Sequence, residues 1–247
     1  MNKSGYDVNY ATQIYEVKAT DNSITVYATN QWIGNRGMTL GGPVLEITFT
    51  STLADSIKVT IEHFRGGMEK TPEFQLYEDD GFFPMTVETD EYAELISGKA
   101  RVRINKIKGW SIEYYYGDKL LTKEGWRTTS YITEQPYHTQ ERMLAQQNFN
   151  RFYADDQDPR PSYMREMLNL SVGESVYGFG EKFTTFVKNG QSVQIWNGDG
   201  GTCSEYSYKS IPFYVSNRGY GVFVNHSEKV EFEVASDTVS KVSIVVP

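Results

Sequence analysis

Residues 92–104 read Tyr-Ala-Glu-Leu-Ile-Ser-Gly-Lys-Ala-Arg-Val-Arg-Ile, which is the pattern of two short strands joined by a turn. In the second strand, Val102 and Ile104 alternate with arginines. This period of two residues is typical of a strand with one buried face and one face in water. The dipeptide Ser97-Gly98 favours a tight turn between the two strands. The segment therefore predicts an antiparallel hairpin.

The same alternation recurs along the chain, with turn residues at short intervals. Val230, Phe232 and Val234 alternate with glutamates, and Ile57, Val59 and Ile61 alternate with polar residues. Turn residues also separate Gln13–Lys18 from Ile24–Ala28, and Ile211–Val215 from Gly221–Val224. Closely spaced hairpins of this kind predict an all-β fold and not βαβ units. We expect a large antiparallel β-sandwich of two sheets.

A polar segment at residues 133–161 interrupts this pattern. It carries the acidic run Asp155–Asp158 and ends in Pro159-Arg160-Pro161, a composition that favours a surface connection. We therefore expect a single domain over residues 1–247 with a long connection or insertion at about 133–161. The last residues, 241–247, form an apolar strand without a polar tail, which favours a longer parent chain.

The composition excludes several classes of function. Acidic residues outnumber basic ones, 32 to 24, and the net charge is −8. A nucleic-acid partner is therefore not expected, because such proteins need a dense basic patch. No apolar stretch is long enough for a membrane span or a signal peptide, and the single cysteine, Cys203, excludes an intrachain disulfide. We expect a cytoplasmic protein.

The sequence lacks the usual signatures of a catalytic or metal site. The three histidines are scattered without metal-ligand spacing, and His63 is interpreted as a structural residue. Cys203 has no adjacent histidine to activate it, so it is interpreted as a loop residue. The Gly178-Phe179-Gly180 stretch lacks the third glycine of a dinucleotide loop and is expected to be a tight turn between strands. No cofactor is expected.

One loop could contact a sugar. Residues 196–202 read Trp-Asn-Gly-Asp-Gly-Gly-Thr, a polar, glycine-rich loop with an aromatic residue at its base. Glycines let the backbone approach a ligand closely, and Asp or Thr can hydrogen-bond hydroxyl groups. The face of Trp196 suits the apolar C–H patch of a sugar, although the same side chain could simply anchor the loop.

Residues 177–246 resemble the family 31 glycoside hydrolases, and in particular their bacterial α-xylosidase branch. The resemblance lies in Tyr-Gly-Phe-Gly-Glu-Lys-Phe (177–183), Lys-Asn-Gly-Gln-Ser-Val (188–193), the loop at 196–202, Tyr-Lys-Ser-Ile-Pro-Phe-Tyr (208–214) and Asn-Arg-Gly-Tyr-Gly-Val-Phe-Val-Asn-His (217–226). Weaker matches extend it toward residue 10, and the segment 133–161 departs from it.

The resemblance implies a galactose-mutarotase-like β-sandwich that precedes a (β/α)₈ barrel. In that family the barrel carries both catalytic carboxylates, so this chain alone is expected to be inactive. The parent enzyme would be a retaining α-xylosidase or α-glucosidase that works without a metal or organic cofactor, through a glycosyl-aspartyl intermediate. The expected partners are the barrel of the same parent, an α-linked oligosaccharide and neighbouring copies in a homo-oligomer.

The resemblance also implies which residues contact substrate, through a loop that reaches over the mouth of the barrel. By position these residues are Trp196, Asn197, Asp199, Gly200, Thr202 and Cys203. Asp199 matches a family position that bonds a sugar hydroxyl. The glycines at 178 and 180 are assigned a structural role, and Glu181 a supporting one.

Two other functions remain open from the sequence: a free-standing carbohydrate-binding module and a mutarotase-like epimerase. An epimerase needs a general acid and base, commonly including histidine, and this chain has only three. A binding module should show an aromatic-lined groove. An accessory domain should instead expose a large apolar patch where its barrel packs.

Overall fold

The computed structural model describes residues 5–63, 73–79, 81–134, 161–197, 207 and 209–247. In these ranges the backbone forms strands and one short 3-10 helix, Arg36–Leu40. The strands are β1 (Tyr6–Tyr10), β2 (Gln13–Ala19), β3 (Ile24–Thr29), β4 (Val44–Thr50), β5 (Lys58–Glu62), β6 (Met85–Glu88), β7 (Tyr92–Ser97), β8 (Ala100–Asn105), β9 (Ile112–Tyr116), β10 (Lys119–Glu124), β11 (Ser130–Glu134), β12 (Ser162–Asn169), β13 (Val176–Gly180), β14 (Gln191–Ile195), β15 (Ser210–Ser216), β16 (Tyr220–Phe223), β17 (Val230–Val234) and β18 (Lys241–Val246).

The strands pair into four antiparallel sheets. The four-stranded sheet has the order β2-β3-β4-β5, and the five-stranded sheet has the order β10-β9-β8-β7-β6. The six-stranded sheet has the order β1-β11-β12-β18-β17-β14, and the three-stranded sheet has the order β13-β15-β16. The first two sheets are built from neighbours in sequence, whereas the six-stranded sheet joins strands from both ends of the chain.

Two hydrophobic cores lie between these sheets. The first contains Val26 and Ile47 from the four-stranded sheet together with Leu95 and Val102 from the five-stranded sheet. The second lies between the three-stranded and six-stranded sheets and contains Phe179, Tyr214, Val193, Phe232 and Val242. Each such side chain contributes about 1.5–3 kcal/mol when it leaves water, so the alternating pattern directly stabilises both sheet pairs.

The predicted all-β, antiparallel architecture is confirmed, and the hairpin at residues 92–104 is formed by β7 and β8. The backbone pairing, however, defines four sheets where two were expected. Strand β10 lies beside β12, but the contact there is a side-chain bond from Thr122 Oγ1 to the Asn169 carbonyl, 2.8 Å long. Because no ladder forms at this seam, the five-stranded and six-stranded sheets remain separate.

The predicted connection at 133–161 leaves and re-enters the fold at one place. Thr133 of β11 pairs with Ser162 of β12, and the Glu134 amide donates to the Pro161 carbonyl over 3.1 Å. Residues 135–160, including the acidic run, lie outside the described residues. The surface location of this segment therefore stays a prediction.

The Gly178-Phe179-Gly180 stretch is not the turn that was predicted, because it lies inside strand β13. All three residues have positive φ, +119°, +69° and +79°, and the pairing with β15 shifts register between the two glycines. This bulge turns Phe179 into the second core, where its ring lies 4.7 Å from that of Phe232. The glycines thus serve packing, consistent with the structural role that the resemblance implied.

Candidate functional site

Trp196 and Asn197 follow β14 directly and form the start of the loop predicted to contact sugar. The Ser210 amide donates to Asn197 Oδ1 over 2.9 Å, and Ser210 Oγ lies 3.2 Å from the Trp196 carbonyl, to which it donates. Lys182 Nζ donates to Ser210 Oγ over 2.7 Å and to the Gln194 carbonyl over 2.9 Å. These bonds fix the start of the loop to β15.

The other predicted substrate-binding residues, Asp199, Gly200, Thr202 and Cys203, lie outside the described residues. Their contact with substrate stays a prediction. Glu181 forms an ion pair with Lys209, 3.0 Å between Oε1 and Nζ, and both side chains are largely exposed. An exposed pair of this kind contributes little stability, about 0–1 kcal/mol. Glu181 nevertheless lies beside the strand that holds the loop, because its amide donates to the Lys209 carbonyl.

A cavity of about 260 Å³ lies beside Trp196. Its lining is Phe74, Ile195, Trp196, Asn197, Ser210, Pro212, His226, Ser227 and Glu228. The residues Trp196 and Phe74 are 52% and 46% exposed, so both can offer aromatic surface to a ligand. Aromatic faces beside hydroxyl, amide and carboxylate groups offer both kinds of contact that a sugar ring makes. We call this the Trp196 cavity.

Phe74 and the residues after His226 were not predicted from the sequence. Asn225 holds Phe74 by two reciprocal bonds: its Oδ1 accepts from the Phe74 amide at 2.7 Å, and its Nδ2 donates to the Phe74 carbonyl at 3.1 Å. The Phe74 ring also lies 5.9 Å from that of Phe223. These partners are about 150 residues apart in sequence, so no local pattern could have indicated the contact.

The outer face of the three-stranded sheet is apolar. On β15, Ile211, Phe213 and Val215 point away from the second core and are 39–48% exposed. Phe223 of β16 lies on the same face opposite Phe213, and the half-exposed Tyr177 ring is 5.1 Å from that of Phe186. We call this surface the outer face.

An apolar outer face is unusual on this sheet because its inner face already packs against a core. Antiparallel sheets with one buried face normally place polar residues on the other. Contiguous apolar surface of this kind marks a place where another structure packs. The outer face begins next to Ser210 and Pro212, which line the Trp196 cavity.

Two glutamates meet in the interior at the seam between β10 and β12. Glu124 is 2% exposed and accepts from Tyr114 Oη at 2.8 Å and from Thr129 Oγ1 at 2.6 Å. Burial raises the pKa of the Glu124 carboxyl. Burial, and then the charge of Glu124, raises the pKa of the Glu166 carboxyl well above its usual range.

The glutamate pair does not have the arrangement of glycosidase carboxylates. The two carboxyl groups are hydrogen-bonded to each other, which is closer than the roughly 5–10 Å that a retaining or inverting pair requires. Neither residue lines the Trp196 cavity. The pair is therefore a structural contact, in which burial and the neighbouring carboxyl raise the pKa of Glu166 and so favour its protonated form.

The histidines do not form a metal site in the described part of the chain. No group of three or more potential metal ligands occurs there. His63 Nδ1 lies 3.2 Å from the Val44 carbonyl and its ring 4.3 Å from that of Tyr131, as expected for a structural histidine. In the same ranges no helix has the length and apolar character needed to cross a membrane.

Comparison with known proteins identifies the family. Residues 44–233 match the glycosyl hydrolase 31 N-terminal galactose mutarotase-like domain. The chain is 35% identical to the α-xylosidase XylQ of Lactiplantibacillus pentosus over 98% of its length, and 33% identical to an α-xylosidase of Emericella nidulans over 99%. It spans only 29% and 31% of these two relatives.

Solved structures agree in fold. The cycloalternan-forming enzyme of Listeria monocytogenes, solved with a pentasaccharide substrate, matches 98% of this chain with a TM-score of 0.70 at 19% identity, and the match covers 20% of that enzyme. The family model matches most of the chain, and two relatives are more than 30% identical to it along nearly its whole length. Both findings assign the chain to the same family. This chain belongs to the family 31 glycoside hydrolases, as their galactose mutarotase-like N-terminal domain.

Proposed function

We propose that this chain is the non-catalytic N-terminal domain of a retaining α-glycosidase, an α-xylosidase, which packs against a catalytic barrel and lends the loop after Trp196 to the substrate pocket. The observation that carries the proposal is the apolar outer face, which adjoins the Trp196 cavity. This chain matches less than a third of each α-xylosidase relative. The rest of those relatives is long enough to contain a barrel.

Two features support the proposal that the catalytic chemistry lies outside this domain. The interior glutamates are in contact with each other, and among the described residues that line the Trp196 cavity Glu228 is the one carboxylate. A double-displacement mechanism needs two carboxyl groups on opposite sides of the scissile bond. The domain is therefore suited to bind and orient an α-linked oligosaccharide while another part of the enzyme cleaves it.

The outer face is the surface on which the catalytic barrel would pack. Burial of its aliphatic and aromatic side chains is worth roughly 25 cal/mol per Å² of apolar surface removed from water. With the barrel packed there, the Trp196 cavity would lie at the boundary between the two parts, where ligand sites are common. We place the enzyme in the cytoplasm, since the single cysteine provides no disulfide framework.

The substitution Val215→Asp tests this packing. Val215 lies on the outer face, 40% exposed, whereas Val172 is fully exposed in a turn and lies on neither that face nor β15. In the complete α-xylosidase, Val215→Asp should lower the melting temperature by several degrees and reduce xyloside hydrolysis. Val172→Asp should do neither.

The same two variants in the 247-residue chain provide the control for strand propensity. In the 247-residue chain, Val215→Asp should lower the free energy of unfolding only by the difference in strand propensity between the two residues, up to about 1 kcal/mol. An equal loss in the chain and in the complete enzyme would contradict packing at the outer face. Hydrolysis of p-nitrophenyl α-xyloside by the purified chain would contradict its non-catalytic role, and sugar-independent self-association through Val215 would assign the face to a second copy.

A further inference from the structure

A second cavity lies on the face of the six-stranded sheet that points away from the second core. Its volume is about 670 Å³, within the range of roughly 300–1,000 Å³ that is typical of ligand sites. The lining comes from β1, β11, β12, β18 and β17 and the turn after β17. We call it the sheet groove. It shares no lining residue with the Trp196 cavity.

Arg165 forms part of the lining of the sheet groove and is 7% exposed. Its Nε donates to Ser130 Oγ over 3.1 Å, and its guanidinium lies 5.3 Å from the centre of the Tyr10 ring. Within the described ranges, no carboxylate forms an ion pair with it. Arginines buried to this degree are almost always paired, because burial of an unpaired charge is costly.

The positive charge of Arg165 affects the pKa of the neighbouring Lys241. Burial, and then the positive charge of Arg165, lowers the pKa of the Lys241 ammonium. Among the residues that the structure describes, Ser130 is the hydrogen-bond partner of the Arg165 side chain, through Nε, so its terminal amino groups are available to a ligand in the groove.

The strand register places an acceptor on the other side of the groove, two strands from Arg165 and away from Tyr10, over which the Arg165 guanidinium lies. Arg165 pairs with Val245, and Val245 pairs with Glu231 on the next strand. Strands lie about 4.8 Å apart, so the two charged residues start roughly 9–10 Å apart across an apolar floor. Glu231 is itself partly exposed and lies 3.3 Å from Lys229, which also lines the groove.

Aromatic side chains form one wall of the groove. Tyr6 and Tyr163 both line it, with ring centres 6.4 Å apart in an edge-to-face arrangement. Tyrosines supply flat apolar surface and a hydroxyl group at small cost in conformational entropy. On the opposite side, Glu233 and Ser243 lie directly across from each other on β17 and β18.

We propose that the sheet groove is a second carbohydrate-binding site, which holds a neutral oligosaccharide of two or three units across Val245, between the Arg165 donor and the Glu231 acceptor. The mixed charges disfavour a phosphate-rich ligand, since Glu231, Glu233 and Asp237 oppose the two cations in the lining. Carboxylates and a guanidinium bind hydroxyl groups through charge-assisted hydrogen bonds.

The groove offers no catalytic pair. Glu231 and Glu233 are two residues apart on one strand, so they lie side by side on one flank of a ligand. The described residues of the lining also include no histidine that could serve as the general acid or base of an epimerase. The chemistry of the groove is therefore binding. That the ligand is α-linked rests on the proposed function.

Titration calorimetry of the 247-residue chain with maltotriose, isomaltotriose and isoprimeverose tests the proposal. We expect millimolar binding of at least one sugar, weakened about tenfold by Arg165→Lys, which loses roughly 1.4 kcal/mol of directed hydrogen bonding. Tyr6→Ala removes a partly exposed ring from the rim without opening a core, and should weaken binding about 2- to 10-fold, the range of an aromatic contact.

Two matched variants separate this site from others. Tyr15→Ala removes a 53% exposed tyrosine from outside the groove and should leave the affinity unchanged. Trp196→Ala removes the contribution of the Trp196 cavity, and the sugar binding that remains should still be weakened by Tyr6→Ala. No binding of any of the three sugars, or binding lost through Trp196→Ala but not through Tyr6→Ala, overturns the proposal. Tight binding of inorganic phosphate that displaces the sugar overturns it as well. None of these outcomes depends on the Val215 test, so the two proposals can fail separately.

Discussion

The substitution Gly180→Ala tests how closely β13 and β15 approach each other, and Gly190→Ala is its matched control. Gly180 has φ +79° and Gly190 has φ +85°. A Cβ at Gly190 would meet nothing within 4 Å. A Cβ at Gly180 would lie 3.0 Å from the Ile211 amide nitrogen and deep inside the van der Waals radius of the Lys209 carbonyl oxygen.

The magnitudes follow from these contacts. Each substitution places an L-residue in the left-handed region, which costs about 1–2 kcal/mol. Gly180→Ala must in addition push the Lys209 carbonyl away and break its hydrogen bond from the Glu181 amide, now 3.0 Å long. An unsatisfied group of this kind costs about 1–3 kcal/mol more. We therefore expect losses of about 1–2 kcal/mol for Gly190→Ala and about 2–5 kcal/mol for Gly180→Ala.

Thermal unfolding followed by circular dichroism measures the difference. For a chain of this length 1 kcal/mol corresponds to about 2–4 °C, so the two melting temperatures should differ by roughly 2–12 °C. Because Lys209 precedes Ser210, Gly180→Ala should also weaken sugar binding at the Trp196 cavity. Equal melting temperatures for the two variants would refute the close approach of β13 and β15 at Gly180. The positive φ would then account for the whole loss of stability.

Three further substitutions test other parts of the structure. The raised pKa of Glu166 stabilises the folded state fully below the ordinary pKa of about 4.3, and this stabilisation is lost as the pH rises toward the pKa in the folded protein. Glu166→Gln should therefore flatten the fall in melting temperature above pH 5. An unchanged pH profile of the melting temperature would contradict the contact between Glu166 and Glu124. Phe179→Ala should cost about 3–5 kcal/mol in denaturant unfolding, since the ring is fully buried in the second core; a loss below 1 kcal/mol would contradict its packing. Ser210→Ala should lower sugar affinity at the Trp196 cavity about 2- to 5-fold in calorimetry, because Ser210 Oγ donates to the Trp196 carbonyl and accepts from Lys182 Nζ. The change in stability should be small, since Lys182 Nζ keeps its bond to the Gln194 carbonyl. Unchanged affinity would show that these bonds do not position the ring.

The strands could be predicted from the sequence because two local signals coincide. Residues 92–96 and 100–104 were expected as strands, and β7 and β8 each extend only one residue further. Alternation identifies the buried positions, and Ser97-Gly98 marks the point where the chain reverses. Both signals lie within a dozen residues, so no knowledge of the rest of the fold is required.

The grouping of strands into sheets could not be predicted in this way. Strand β1 pairs with β11, more than 110 residues later, and Tyr10 lies opposite Ser130. Alternation states which face of a strand is buried, but it carries no information about which strand lies beside it. The expected two sheets are therefore four, divided where the backbone ladder between β10 and β12 is missing.

The candidate site was predicted only in its local part. Trp196 and Asn197 belong to a glycine-rich loop that is visible in the sequence, whereas Phe74 reaches the same cavity through Asn225. Arg165 was equally hidden, because an arginine in an alternating strand is expected to face water. It is buried here by Ser130 and Tyr10, which come from two other strands of the six-stranded sheet.

Strand β17 shows how one short segment serves both the fold and the two proposed sites. Val230, Phe232 and Val234 face the second core, and each is fully buried. The intervening glutamates face the sheet groove, and Glu228, just before the strand, lines the Trp196 cavity. Because the core uses only every second residue, the wet half of the pattern can change without loss of the fold. Binding surfaces on this domain can therefore adapt to a sugar while the sheets that position them stay the same.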